Sequence, residues 1–278
     1  MREHYTHTFG PPLDRFVTLA VGYRYAGGSP GVHVGLPSGA LTLVVPFDEP
    51  LWLSGGGLAE PSPFDGVLAG LATGPTLIHH DGHQHGLQLG LTPNGARAVF
   101  GMPAAELAEC SVGLEAVVGR AGRSLREELE GYATWAERFA AVERVVCGLM
   151  SRQESGRDAV AEVGQAWRLI RRGGGRTSVA GVASDVGWST RHLEHRFRSE
   201  FGITPKAAVR ITRFERSVDA ARDPRRRLAD VAAECGYADQ AHLAREWRDL
   251  AGVPPSRWRV EDDLAFVQDD AAAVLAAS

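Results

Sequence analysis

Hydrophobic and polar positions change their period once along this chain. Over the first hundred residues the apolar positions come in short runs cut by Gly and Pro. Phe16 to Tyr25 alternates in part, and Ala40 to Pro46 (ALTLVVP) is apolar and β-branched, so both read as strands. Leu77 to His80, then Asp81-Gly82, then His83 to Leu91 predicts a hairpin, because Asp-Gly suits a type I′ turn. Many short strands between turn signals predict an antiparallel sandwich or small barrel. From about Pro103 the period becomes helical. Leu125, Leu129, Tyr132, Trp135, Phe139, Val142, Val146 and Leu149 recur at steps of three or four, one apolar stripe along a helix from Ser124 to Met150. Such a stripe is expected either to form a dimer interface or to pack on the domain's own barrel. Ser151 to Asp158 is polar and reads as a linker, and beyond it the pattern is helices broken by Gly or Pro.

The helical half contains an internal repeat. Val182-Ala183-Ser184-Asp185-Val186-Gly187-Trp188 matches Val231-Ala232-Ala233-Glu234-Cys235-Gly236-Tyr237 at an offset of 49. After one extra residue, His192-Leu193, Arg198, Gly202 and Pro205 match His242-Leu243, Arg248, Gly252 and Pro255 at an offset of 50, with Phe197 and Trp247 both aromatic. In each copy a short helix ends near a glycine suited to φ > 0. An aromatic follows, then an N-cap (Ser189 or Asp239), then a helix anchored by Leu193 and Phe197 or by Leu243 and Trp247. This is the grammar of a helix-turn-helix, whose second helix fits the major groove. Pro205 to Arg222 reads as one helix between the copies. Its roughly 25 Å of rise is of the order needed to set two recognition helices about one DNA turn apart.

Charge follows the same division. The net charge of −4 over 278 residues conceals a balance of −6 for residues 1–151, +7 for residues 152–259 and −5 for the tail from Glu261 to Ser278. A basic block between acidic ones is the electrostatic outline of a nucleic-acid module joined to something else. The three cysteines, Cys110, Cys147 and Cys235, are far apart and odd in number, which excludes a disulfide framework and points to a reducing compartment. With no basic-then-apolar opening segment and no run of membrane-spanning length, the expectation is a cytoplasmic protein without a membrane partner.

The segments GWSTRHLEHRFRSEFGITP and LADVAAECGYADQAHLAREWRDLAGVPPSRWR, with the helix around Arg213-Phe214 between them, resemble the double helix-turn-helix domain of AraC-type (AraC/XylS) transcription regulators. The resemblance covers residues 160–259. It implies one polypeptide reading two adjacent major-groove segments of double-stranded DNA. Position by position, Arg191, Glu194 and His195 in the first unit, and Gln240, Ala241 and Arg245 in the second, fall where the family's base-reading side chains project. Arginine reads guanine and glutamine reads adenine through bidentate bonds. Glu194 cannot donate to guanine or phosphate, and Ala241 offers only an apolar contact. Ser189, Thr190, Arg198 and Arg248 are cast as phosphate contacts, which position without specifying sequence. The N-terminal half resembles, diffusely, the barrel-like sensor domains attached to this family (VGLPSGALTLVV and HGLQLGLTPNGARAVFGMPAAEL). It implies a small-molecule effector, with RNA polymerase and a second copy of the chain as candidate partners.

The expected architecture is therefore α+β in two domains. Residues 1–150 form an antiparallel β-barrel or sandwich with following helices, residues 151–158 a linker, residues 159–260 an all-α tandem helix-turn-helix domain, and residues 261–278 an acidic tail. In the expected hairpin His80 lies opposite His83, and His85 shares their face, running into the barrel interior through Leu87, Leu89 and Leu91. These three histidines are the candidate effector pocket. An H-x-H strand in a barrel also resembles cupin enzymes, so a metal-dependent cupin-like enzyme or sensor fused to a DNA-binding module is the alternative. The carboxylate expected a few residues later is absent from GLQLGL, however, and no metal, cofactor or catalytic residue is assigned. Gly173 to Ser178 lacks the Gly-Lys-Ser/Thr of a P-loop and reads as the turn between two helices, with Thr177 or Ser178 as N-cap.

Overall fold

A computed structural model of the chain describes residues 2–153 and 161–261. The expected linker lies mostly outside the described residues, and the acidic tail beyond Glu261 wholly so.

Ten strands form the N-terminal half: β1 (Arg2–Thr6), β2 (Val17–Tyr25), β3 (Gly31–Gly35), β4 (Leu41–Pro46), β5 (Leu51–Gly55), β6 (Leu58–Phe64), β7 (Val67–Ala69), β8 (Thr76–His80), β9 (Gln84–Leu91) and β10 (Ser111–Gly113). They make two antiparallel sheets, one in the order β1-β2-β9-β4-β7-β10 and the other in the order β3-β8-β5-β6. The sheets pack as a sandwich, with Tyr23, Val44 and Val67 of the first meeting Leu53 and Ile78 of the second. It is not closed into a barrel. Its exposed edge β6 carries Pro61 and Pro63, which lack the N–H that a further strand would need.

The expected hairpin does not form. β8 pairs with β3 and β5 while β9 pairs with β2 and β4, so Asp81-Gly82 turns a corner from one sheet into the other. Each strand already has two neighbours, and these compete successfully with the short-range pairing that Asp-Gly favours. The face assignment changes as well. Leu87, Leu89 and Leu91 point away from the second sheet, into a core shared with the helices, while Gly86, Gln88 and Gly90 face inward. A Cβ at Gly86 would lie 2.7 Å from the Val45 carbonyl oxygen and 2.8 Å from the Tyr23 hydroxyl, so only glycine fits between the layers there.

The helical layer comprises α1 (Pro93–Phe100), α2 (Leu114–Val118), α3 (Arg120–Gly131) and α4 (Trp135–Ser151), with a 3-10 turn at Ala104–Leu107. The apolar stripe belongs to two helices and not to one. Tyr132 takes an extended conformation, and Thr134 with Glu137 forms a reciprocal capping box that starts α4. Leu125, Leu129, Phe139, Val142 and Val146 are buried on the first sheet, so this face packs on the chain's own sandwich and is not free to pair with a second copy. The layer is tightly filled, since the apolar cavity between sheet and helices measures only about 20 Å³.

The C-terminal half is all helix: α5 (Ala161–Arg172), α6 (Val179–Asp185), α7 (Thr190–Phe201), α8 (Pro205–Ala221), α9 (Leu228–Cys235), α10 (Gln240–Ala251) and α11 (Pro255–Glu261). Ser178 caps α6 after the glycine turn, and Thr204 caps α8 with Pro205 in its first turn, where a missing N–H costs nothing. Gly187 and Gly236 take positive φ at equivalent places in the repeat. The two units differ in where their cores lie. Leu193, Phe197, Phe201 and Ile211 belong to one continuous core with the sandwich and its helices, whereas Phe214, Val231, Leu243, Trp247 and Trp258 form a separate one.

Candidate nucleic-acid interface

Each recognition helix is held by the side opposite its polar face. In α7 the Ser189 hydroxyl accepts the His192 N–H at 3.2 Å, and in α10 the Asp239 carboxylate accepts the His242 N–H at 2.6 Å. The histidine that supplies each N–H also packs its ring edge-on against the preceding aromatic, Trp188 at 4.7 Å and Tyr237 at 5.3 Å. Leu193, Phe197, Leu243 and Trp247 are fully buried. Trp167 stacks on Phe197 in the first unit, and Trp247 meets Phe214 and Trp258 edge-on in the second. The Trp247 indole N–H donates to the Ser217 hydroxyl at 2.8 Å, so its one polar atom is satisfied.

The opposite faces are open. Arg191, Glu194, His195, Gln240, Ala241 and Arg245 are all exposed, as are Ser189, Thr190, Arg198 and Arg248. Periodicity brings these side chains onto the outer faces of α7 and α10. Two details bear on their chemistry. Arg198 donates to Glu194 at 3.3 Å, so this arginine is partly neutralised, and the Arg248 guanidinium reaches the Ala244 carbonyl.

Beneath the second recognition helix lies a charge cluster that was not apparent from the sequence alone. Glu246, on the inner side of α10, accepts from Arg210 at 3.0 Å and from Arg213 at 2.6 Å and 3.2 Å. Burial pushes the Glu246 carboxyl up, but hydrogen bonds from Arg213 and Arg210 outweigh it and hold the group below the ordinary glutamate range. A counterpart sits under the first helix at a different place. Glu200 accepts Arg97 Nε at 2.6 Å and Nη2 at 2.7 Å, a bidentate pair that joins α7 to α1.

A second concave feature opens at one end of the sandwich, a cavity of about 580 Å³. His80, His83 and His85 all line it, together with Tyr23, Phe47, Asp48 and Trp52. Because the sheet corner replaces the hairpin, the three imidazoles are turned to different neighbours. His80 Nδ1 accepts the Gly82 N–H at 3.2 Å, His83 lies 3.5 Å from Asp81, and His85 pairs with Asp48 at 2.9 Å. Among the described residues no group of three His, Cys, Asp or Glu side chains is placed to hold a metal ion. Burial, and then the nearby His33, lower the His80 pKa. Tyr23 is 7% exposed and its hydroxyl, which borders the cavity, makes no hydrogen bond among the described residues. Burial pushes its pKa upward, so it is a neutral donor. Tyr23, Phe47 and Trp52 carry no local signal of such a role, since they come from separate strands and a loop that only the folded sandwich brings to one end.

Residues 163–261 match the family model of a helix-turn-helix domain. No curated protein matches the chain. Among solved structures, ToxT from Vibrio cholerae in its P21 form superposes with a TM-score of 0.53 at 10% identity, covering 87% of this chain and 98% of that one. Wild-type ToxT of Vibrio cholerae strain SCE256 with bound unsaturated fatty acid gives 0.52 at 11% identity over 86% and 94% of the two chains. ToxT of strain O395 bound to (E)-4-(8-methylnaphthalen-1-yl)but-3-enoic acid gives 0.51 at 13% identity over 85% and 97%. At such identities the likeness is one of fold. The tandem repeat, its exposed outer faces and the family match define a helix-turn-helix domain of the DNA-binding class. More particularly, the chain carries a C-terminal helix-turn-helix domain, and as a whole it has the two-domain fold seen in ToxT. Among the described residues no helix is long and apolar enough to cross a membrane.

Proposed function

We propose that this chain is a cytoplasmic, non-enzymatic, sequence-specific transcription regulator that reads two adjacent major-groove segments of double-stranded DNA. The observation that carries this reading is the exposure of equivalent polar faces on α7 and α10, each capped at its start and anchored from behind. Arg191 and His195 would read bases in one block, and Gln240 and Arg245 in the other. Glu194 restrains Arg198 while Ala241 offers an apolar contact to a thymine methyl. Ser189, Thr190, Arg198 and Arg248 would set register on phosphates.

Effector control belongs to the same reading. The cavity at the end of the sandwich has the volume of a small-molecule site and combines the aromatic rings of Tyr23, Phe47 and Trp52 with a polar lining, in which His80, His83 and His85 are joined by Arg24, Asp48, Glu49 and Asp81. That ToxT structures contain an unsaturated fatty acid or a butenoic acid supports a small-molecule effector for this fold. RNA polymerase and a second copy are further partners of this reading, and the second copy would need a surface other than the buried α3–α4 stripe.

The deciding experiment is selection of bound sequences from random duplex DNA by the full-length protein at near-physiological salt. Two enriched blocks about one helical turn apart are expected. Arg191→Ala should relax one block and Arg245→Ala the other, each by about tenfold against the wrong base. Binding without enrichment that vanishes steeply as salt rises would overturn sequence-specific reading. For the cavity, a compound that raises the melting temperature of the wild type but not of Tyr23→Phe would place the effector there.

A further inference from the structure

Glu200 is out of place by the rules of its own unit. Its counterpart in the repeat is Leu250, which is 1% exposed and packs in the second unit's core. Glu200 is as deeply placed, at 6% exposed, yet carries a charge whose burial is costly unless it is paired. Nothing in the helix-turn-helix requires a carboxylate there. The requirement comes from Arg97, 103 residues away on α1, which meets both carboxylate oxygens. At the same end of α7, Gly202 takes φ +77° and lies so close to Ala105 and Ala108 that a Cβ would collide. The end of the first recognition helix is thus seated on the N-terminal domain by a charged clamp and a close backbone approach.

The second unit meets the same domain elsewhere. Leu36 packs against its core, and the Gly39 N–H donates at 3.0 Å to Glu215 of the connecting helix α8, a residue also paired with Arg171. With α7 and α8 both resting on the N-terminal domain, that domain bears on the angle between α7 and α10 from outside the DNA-binding domain. The contact does not cover the reading faces, since Arg191, His195, Gln240 and Arg245 remain exposed. α1, which carries Arg97, follows directly on β9, whose other end supplies Gln84 and His85 to the cavity wall.

From this we infer that Arg97 and Glu200 are positioning residues for DNA reading. By fixing α7 on the N-terminal domain they set the spacing between the two base blocks that the protein accepts. The domain acts as a template for the two recognition helices, not as a cover over them. This rests on the two-block reading proposed above.

The test measures affinity of the full-length protein for duplexes carrying the two selected blocks, with the spacer changed one base pair at a time, and for duplexes carrying one block alone. The variants are Glu200→Leu, which installs the residue of the sister position, Arg97→Ala, which leaves the DNA-binding domain's sequence intact, and the exchange of Arg97→Glu with Glu200→Arg. The wild type is expected to prefer one spacing. Each single variant should lose about tenfold at that spacing and flatten the preference, with single-block affinity unchanged. The exchange should restore the preference. A spacing preference identical to wild type in both single variants would overturn the positioning role, as would a wild type that selects only one block. A wild type that selects no sequence at all would instead sink the DNA-reading proposal on which this one rests. Glu200→Leu keeps the comparison decisive if Arg97→Ala, which leaves Glu200 buried without this partner, folds poorly.

Discussion

The two helix-turn-helix units share a local plan and differ in what holds them. The first unit runs its core into the sandwich and its helices, and its buried carboxylate, Glu200, reaches out of the domain to Arg97. The second unit has a core of its own, and its buried carboxylate, Glu246, reaches back to Arg210 and Arg213 of the connecting helix. The two acids are not repeat-equivalent. Glu200 stands where the other copy has Leu250, and Glu246 where the other has Arg196. Local sequence makes each unit a helix-turn-helix, and the two buried carboxylates tie them differently. Both recognition helices are anchored within the DNA-binding domain, and the first is in addition clamped to the N-terminal domain through Arg97.

The largest expected effect separates the two cores. Trp247→Ala and Phe197→Ala each remove a fully buried aromatic and should each cost about 3–5 kcal/mol. Hydrogen exchange should show the first confined to α8–α11, while the second spreads into α1, α4 and the first sheet. A loss of protection restricted to the mutated unit in both variants would mean that the shared core is not cooperative.

Smaller effects come from the charge clusters. Glu246→Gln should cost about 2 kcal/mol, because Arg210 and Arg213 are left facing a neutral group in a half-buried site. Glu200→Leu should cost less than about 1 kcal/mol, since leucine suits the sister position and Arg97 can turn toward water. The sign of the pH dependence follows from the same cluster. The folded-state Glu246 holds its proton less tightly than the unfolded chain does, so its contribution is complete above the ordinary glutamate range. It is lost as pH falls through and below that range. Acid melts of Glu246→Gln should be flatter there than those of the wild type. Equal slopes would show that the cluster adds nothing net.

On DNA, Arg248→Ala should lower the salt slope of binding by about one counterion. Arg198→Ala should lower it by less, because Glu194 already neutralises part of that charge. The smallest difference lies at the caps. Asp239→Ala should destabilise by about 1 kcal/mol, and Ser189→Ala by somewhat less, since the aspartate bond is shorter and charged. Thermal melting of the two variants checks the order.

The repeat, both N-caps, the helix from Pro205 and the outward faces of α7 and α10 were legible because each depends on residues a few positions apart. The break in the apolar stripe was also written locally, in Thr134 and Glu137, although the uninterrupted period of three and four conceals it. Glu200 left a trace too, as a carboxylate facing a leucine across the repeat, but nothing in the chain names Arg97 as its partner. The sheet corner at Asp81-Gly82 left none. Asp-Gly favours a turn whichever strands follow it, and the choice of β2 and β4 for β9, and of β3 and β5 for β8, is made by distant pairings.

By itself the sequence determined what kinds of element form, where the helices begin and end, and which polar side chains of α7 and α10 face outward, because periodicity, caps and glycine conformations act over one or two turns. Only the tertiary structure decided that the histidines line a cavity without forming a metal cluster, that the leucines of β9 face helices and not the sandwich interior, and that one recognition helix is clamped to the N-terminal domain. Those outcomes depend on which surfaces come into contact across tens to a hundred residues, where burial and charge pairing act on the assembled core and no short-range rule reaches.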